Sequence, residues 1–436
     1  MSRGEALRIL LLVCDGLGDR PIRQLGDRTP LEYAKHPTLD KLAKQGEVYT
    51  LYPVKPGVPP ASDVAHLHLF GYDTAVEYPG RGVFEALGAG VSLPRGALAF
   101  RLNFATVQQE GKLLKVVDRR AGRIPTEQAA ELASSLNSEL EEVAGFRCRF
   151  YSTTEHRGVL VMTGGELSPH ITSCDPHEEG RPLLKVKPAK RKIGYPFDYA
   201  VAKKTAEAVN EVVVRAYDIL SKHPLNRRRK EEGKPPANAI LLRGAGIASD
   251  LESFAERWKL RAACIAGGAM YKGVARALGF DVLEVEGATG GVNTNLRAKF
   301  SAAMNALSTY DFVFLHIKAT DSLSHDKKPL EKAMFIERVD SELANLVEKL
   351  DKAVLCVTAD HTTSSMLGKH TGDPVPLVVY YRGARGSDCR FDERSVVSRG
   401  LEVYGLELMN ILLNAAGRLE ELDYDVRDEA DYLELA

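Results

Sequence analysis

The chain has 436 residues, 44% hydrophobic and 27% charged, with 58 Lys and Arg against 59 Asp and Glu for a net charge of −1. That length favours two domains over a single core. The even charge balance gives no general attraction to nucleic acid or acidic membranes. The first apolar run, Ile9 to Cys14, is six residues long and ends at an acid. It is too short for a signal-peptide core with its cleavage site, and far too short to span a bilayer. Six scattered cysteines with no CxxC spacing, three of them (Cys14, Cys264, Cys356) inside apolar runs, read as buried thiols. A reducing, cytoplasmic setting is the expectation.

In chain order, Ile9 to Cys14 reads as a buried strand delivering Asp15. A helix follows at Pro37 to Gln45, then a Pro/Gly stretch from Pro53 to Pro60 leading into Ala61-Ser62-Asp63. Phe84 to Gly90 reads as a short helix closed by glycine. From 97 to 186 the texture becomes that of a small α+β unit. Its predicted strands are Leu113 to Val117, Arg147 to Tyr151 and Val159 to Met162, with a helix at Thr126 to Val143. The expected organisation is therefore a core of 1–96 and 187–436, carrying an insert at 97–186.

Tyr199 to Ser221 has the period of a long amphipathic helix. Asn226 to Lys230, followed by Glu231 and Glu232, reads as a solvated charged loop; the run is too short, and too close to acids, to suggest nucleic acid. Strands are predicted again at Ala239 to Leu242, Ala262 to Ile265 and Asp281 to Val285, and a last helix at Gly405 to Ala416. The acidic tail after Leu419 is expected to pack loosely. The fold class is α/β, with a mostly parallel sheet between helices.

Three apolar runs end in metal-binding side chains. Ile9 to Cys14 leads to Asp15, Phe312 to Ile317 leads to Asp321 and His325, and Ala353 to Val357 leads to Asp360, His361 and His370. Ligands of open α/β sheets bind beyond the carboxyl ends of the strands. Asp321 and His325 also share one face of a helical turn by their i,i+4 spacing. Each residue alone reads equally well as a helix cap or a surface side chain. Together they form an inventory for two divalent cations, and mixed carboxylate and imidazole donors suit Mn²⁺ first, with Co²⁺, Zn²⁺ or Mg²⁺ as alternatives. Such a pair points to phosphoryl chemistry. Ser62, which read alone is a helix N-cap, is the candidate nucleophile.

These stretches resemble a known family. Asp15-Gly-Leu-Gly-Asp-Arg20, Ser62-Asp-Val-Ala-His66, Asp321-Ser-Leu-Ser-His325, Asp360-His361 and His370 resemble the alkaline phosphatase superfamily, and specifically its archaeal-type cofactor-independent phosphoglycerate mutases. The likeness extends through Gly80 to Gly90, Asn103 to Val107, Val117 to Arg123, His156 to Gly158, Asp175 to His177, Leu242 to Gly246 and Gly287 to Gly290. It implies an alkaline-phosphatase-like core with an inserted substrate-gripping domain. It implies one metal on Asp15, Ser62, Asp360 and His361, and another on Asp321, His325 and His370. Ser62 would be phosphorylated in turnover, with no bisphosphoglycerate required, in the service of glycolysis and gluconeogenesis. Asp118 and Arg119 match a pair that holds the glycerate, and Arg120, Arg123, His156 and Arg157 are further candidates for that grip. Lys272 matches a lysine near the transferring phosphate, with Lys318 as the second candidate. Ala61 departs from the Gly or Asn expected before the serine. A metal-dependent phosphomonoesterase or phosphodiesterase on the same core is the alternative activity.

Overall fold

The computed structural model describes residues 6–191 and 194–419. Eight strands form the main sheet. Their spatial order is Asp281–Val282, Ala262–Ile265, Phe312–Ile317, Arg8–Cys14, Ala353–Thr358, Val375–Tyr380, Glu47–Tyr52 and Leu401–Tyr404. The first five run parallel, and Val375–Tyr380 is antiparallel to both neighbours. Every residue of Phe312–Ile317 and Ala353–Thr358 is buried. Covered faces on both sides explain why these strands read as unbroken apolar runs. Leu39 and Leu42 of the helix Pro37–Gln45, Val274 of Ala269–Ala277, and Phe335, Ile336 and Leu343 of Pro329–Val347 join the same core.

A second sheet is built around the long strand Leu98–Glu110. It pairs antiparallel with Leu113–Asp118, Arg157–Thr163 and Ala239–Ile247, and Phe146–Ser152 continues the sheet beyond Arg157–Thr163. A separate core joins Phe100, Leu102 and Phe104 to Leu132 and Leu136 of Thr126–Glu139 and to Val209 and Val212 of Tyr199–Lys222. The expected end of the insert at 186 therefore falls inside this unit, which continues to Ile247. The reason is physical: an amphipathic helix and an apolar strand look alike wherever they dock, and the pairing of Leu102 with Leu242 is made by chain folding.

The charged run at 226–230 is not a loop. Pro224–Glu231 is a helix, capped by the His223 side chain. Arg229 is 3% exposed. Its guanidinium donates to the Ala121 and Pro235 carbonyls at 2.9 and 3.0 Å and to Gln128 at 2.6 Å. Arg227, Arg228 and Lys230 remain exposed. The expected strand at Asp281 to Val285 shortens to Asp281–Val282. The last helix begins with a 3₁₀ turn, Gly405–Glu407, and continues as Leu408–Ala415. All six cysteines are buried and unbridged. No helix among the described residues is long and apolar enough to cross a membrane. The acidic tail lies outside the described residues.

Candidate active site

Arg8–Cys14 lies between the other two ligand-bearing strands, with Cys14 in register with Ile317 and Val13 with Thr358. Asp15, Asp321 and Asp360 thus leave neighbouring strands at the same edge. The loops then close tightly. Gly16 has φ +60°, and a Cβ there would fall 2.5 Å from Thr363 Oγ1 and 2.9 Å from the Asp321 Cβ. Only glycine permits that approach.

The first donor group is Asp15, Asp360 and His361, all fully buried. The Asp15 Oδ1 and Asp360 Oδ2 atoms have no hydrogen-bond partner among the described residues. Unpaired buried carboxylate oxygens are costly, so their convergence is suited to holding a cation. His361 Nε2 stands 3.5 Å from Asp15 Oδ1, 3.2 Å from Asp360 Oδ2 and 3.2 Å from Ser62 Oγ. The other ring nitrogen fixes the tautomer. The Thr363 hydroxyl donates to Asp321 Oδ1 at 2.9 Å, so it accepts from His361 Nδ1 at 3.0 Å. That leaves the Nε2 lone pair facing the two orphan oxygens.

The second group is Asp321, His325 and His370. Their Nε2 atoms lie 3.2 and 3.5 Å from Asp321 Oδ1 and 3.2 Å from each other. His325 Nδ1 donates to the Gly368 carbonyl and His370 Nδ1 to the Pro60 carbonyl, each at 2.8 Å. Both Nε2 atoms therefore present lone pairs to one point, an arrangement suited to a transition-metal or Zn²⁺ ion. His361 also stacks on His370 at 3.6 Å and belongs to a donor group with Asp321 and His370. It faces both donor groups. Burial alone would raise the Asp321 and Asp360 carboxyls. With no cation bound, the facing imidazoles in their protonated form outweigh it, helped at Asp321 by Lys318, and both are held well below the usual carboxylate range.

Ser62 is the first residue of the helix Ser62–Leu69. Ala61 takes the cap position, and no side chain caps the helix. The Ser62 hydroxyl is thus not the N-cap that the sequence alone suggests.

The two lysine candidates separate. Tyr271 turns inward from the helix Ala269–Ala277, and Lys272, about 100° further round, turns away to an ion pair with Glu284 at 2.6 Å. Among the described residues Lys272 is not one that meets the two donor groups. Lys318 is: its Nζ binds Asp321 Oδ2 at 2.8 Å, the Tyr271 hydroxyl at 2.8 Å and Asp15 Oδ2 at 3.3 Å.

A cavity of about 900 Å³ opens over Ser62, Lys318, His325 and His370. Its arginines are Arg81, Arg101 and Arg157. Arg81 and Arg101 share Glu85 Oε1 at 3.2 Å each. Arg191 and Arg243 line an adjoining cavity of about 560 Å³, which also meets Arg81 and Arg101. Of the predicted gripping residues only Arg157 lines the Ser62 cavity. Arg119 forks onto the buried Asp175 at 2.6 and 3.2 Å. Asp118 accepts from the Arg120 and Gly122 amides and so closes its own turn. His156 is buried, and burial together with Arg157, Arg120, Arg101 and Arg123 pushes it down to about 4. It is neutral near pH 7.

Sequence reasoning missed Tyr271, His316, Thr363, Arg81 and Arg101. It also missed Lys299, which is fully buried and donates to the Thr289 and His316 carbonyls at 3.1 Å each. This ties the glycine-rich turn beside Gly290 to the end of a central strand. Burial is the main cause that lowers the Lys299 ammonium to about 8. Between pH 8 and 10.5 the unfolded chain then binds more protons at this residue than the native one, so its contribution makes stability rise with pH. Lys299→Met is expected to remove that rise, worth up to about 3 kcal/mol for a shift of this size. Urea unfolding of both proteins at pH 7 and pH 10 measures it; a pH-independent difference between them would refute the assignment.

The family model of the 2,3-bisphosphoglycerate-independent phosphoglycerate mutases matches residues 43–226. The chain is 45% identical over 420 residues to the 2,3-bisphosphoglycerate-independent phosphoglycerate mutase of Ignicoccus hospitalis, covering 96% of this chain and 99% of the relative. A solved Pyrococcus horikoshii protein aligns with a TM-score of 0.81 at 38% identity, over 96% of this chain and 99% of its own. The cofactor-independent phosphoglycerate mutase of Thermoplasma acidophilum aligns with a TM-score of 0.67 at 38% identity, over 94% and 100%. Identity at this level along nearly the whole length places the chain in the family of 2,3-bisphosphoglycerate-independent phosphoglycerate mutases.

Proposed function

We propose that the chain interconverts 3-phosphoglycerate and 2-phosphoglycerate, without bisphosphoglycerate, through a phosphoserine at Ser62. The observation that carries this is the convergence of Ser62 Oγ, His361 Nε2 and the two unpartnered oxygens of Asp15 and Asp360 at one edge of the sheet. Asp15, Ser62, Asp360 and His361 would hold one divalent cation, and Asp321, His325 and His370 a second. When bound, such ions lower the pKa of a hydroxyl and neutralise charge on a phosphoryl group. Mn²⁺ is the expected metal.

Ser62 Oγ, having given up its proton, attacks the phosphorus in line; the bond to the glycerate oxygen breaks as the bond to serine forms, and that oxygen takes up a proton to become a hydroxyl. Lys318, on the wall of the same cavity, lies where it can offset charge on the transferring group. Arg81, Arg101 and Arg157 line the same cavity and would face the retained glycerate, whose carboxylate suits a guanidinium fork. Glycerate turns within the cavity, and its other hydroxyl attacks the phosphoserine. Water must stay out, because a water molecule in that place would make the enzyme a phosphatase. Closure of the insert, which carries Arg119, Arg120, Arg123 and His156, would serve this exclusion.

The test is an enolase-coupled assay from 3-phosphoglycerate, with bisphosphoglycerate omitted and Mn²⁺ supplied, and inorganic phosphate measured alongside. Product formation with little free phosphate is the expected result. Phosphate release in place of 2-phosphoglycerate would make the chain a phosphomonoesterase instead.

A further inference from the structure

The two oxygens of Asp15 have opposite surroundings. Oδ1 is buried and unpartnered, and it faces His361. Oδ2 is crowded by three donors: the Tyr271 hydroxyl, His316 Nε2 at 3.1 Å and Lys318 Nζ at 3.3 Å. A carboxylate loaded in this way offers a cation one oxygen in a fixed direction. The second donor group has no such arrangement. There the Thr363 hydroxyl and the two imidazoles crowd the same Oδ1 of Asp321, and among the described residues Lys318 alone takes Oδ2.

Tyr271 is the donor whose position is most firmly built. It is 3% exposed, and its ring stacks on His316 at 3.7 Å and 25° and meets His66 edge-on at 5.1 Å. Gly268, at the cap of its helix, makes room for it: a Cβ there would lie 2.8 and 3.0 Å from ring carbons of Tyr271. The same helix packs without clearance on Arg81–Gly88, since a Cβ at Gly273 would meet the Phe84 carbonyl oxygen at 1.7 Å. The tyrosine hydroxyl is thus delivered to Asp15 by a rigid element, whereas Lys318 reaches it on a flexible stem.

We propose that Tyr271 is a positioning residue that holds Asp15 as a one-oxygen ligand and so sets the affinity of one of the two cation sites; Lys318 also donates to the Tyr271 hydroxyl, but it keeps both its carboxylate partners, Asp15 and Asp321, when that hydroxyl is lost, so the other site is unchanged. This rests on the reading of Asp15, Asp360 and His361 as a cation site. Groups that orient metal ligands typically change affinity by about 10- to 100-fold when removed.

The experiment is a Mn²⁺ titration of the metal-depleted full chain by calorimetry, with bound Mn²⁺ counted independently. The wild type is expected to take up two ions. Tyr271→Phe keeps the stacked ring and removes only the hydroxyl. It is expected to weaken one site at least tenfold and to leave the other within twofold. Its kcat should fall at limiting Mn²⁺ and recover with excess, while KM for phosphoglycerate stays constant. Gly268→Ala, which displaces the ring, should give the same one-site loss and serves if the first variant folds poorly. Two unaltered affinities in Tyr271→Phe, or both sites weakened alike, would overturn the assignment of Tyr271 alone. A wild-type chain that takes up no Mn²⁺ would overturn the cation reading itself.

Discussion

Ser62→Ala is expected to abolish mutase turnover and to leave the fold standing. The hydroxyl does not cap its helix, and its hydrogen-bond partner among the described residues is His361 Nε2. Removing it therefore costs the helix little, and unfolding temperature should shift by no more than a few degrees. On the proposed mechanism the chemistry loses its nucleophile outright. Without Oγ there is no acceptor for the phosphoryl group while glycerate turns, and Asp15, Asp360 and His361 have nothing to present to the phosphorus. Two measurements check this. The coupled assay reads turnover, and mass spectrometry of quenched wild-type enzyme reads phosphate on the peptide containing Ser62. A variant within roughly tenfold of wild type, about 1.4 kcal/mol of barrier, would end the serine mechanism.

What was legible in the sequence follows from what each residue does locally. The strands before Asp15, Asp321 and Asp360 announce themselves because both faces are covered, so their apolar runs are continuous. Their carboxyl ends then point to one edge whatever the rest of the chain does. The extent of the insert was not legible, because the partners of Leu98–Glu110 include a strand more than a hundred residues later. Lys272 and Lys318 could not be told apart without the helix phase that turns Tyr271 inward. Arg101 left a signal that went unread. Leu98, Phe100, Leu102 and Phe104 enter the second core, so Arg101 between them must face the other side. Tyr271 and Thr363 left none, since orienting another side chain needs only a hydroxyl at the right point.

The largest effect on the proposed metal centres is expected from His361. Its Nε2 faces Asp15, Asp360 and Ser62, its ring stacks on His370, and its Nδ1 is tied through Thr363 to Asp321. His361→Ala should therefore disturb both cations. His325→Ala should disturb one, because the His325 side chain is 42% exposed and, among the described residues, meets the second donor group and not the first. Each is expected to cut the rate by at least about 100-fold, with excess Mn²⁺ rescuing His325→Ala better, since a weakened site can be filled by mass action. Stability supplies a readout independent of turnover. The unpartnered oxygens of Asp15 and Asp360 cost the metal-free protein stability, so chelation should lower the unfolding temperature and Mn²⁺ or Co²⁺ should restore it. Free metal at a thousand times Kd stabilises by about 4 kcal/mol per site, several degrees for a chain of this size. His361→Ala should lose most of that metal-dependent rise and His325→Ala about half. Full activity after exhaustive chelation, or an unfolding temperature indifferent to Mn²⁺ in the wild type, would refute the placement of cations at these strand ends.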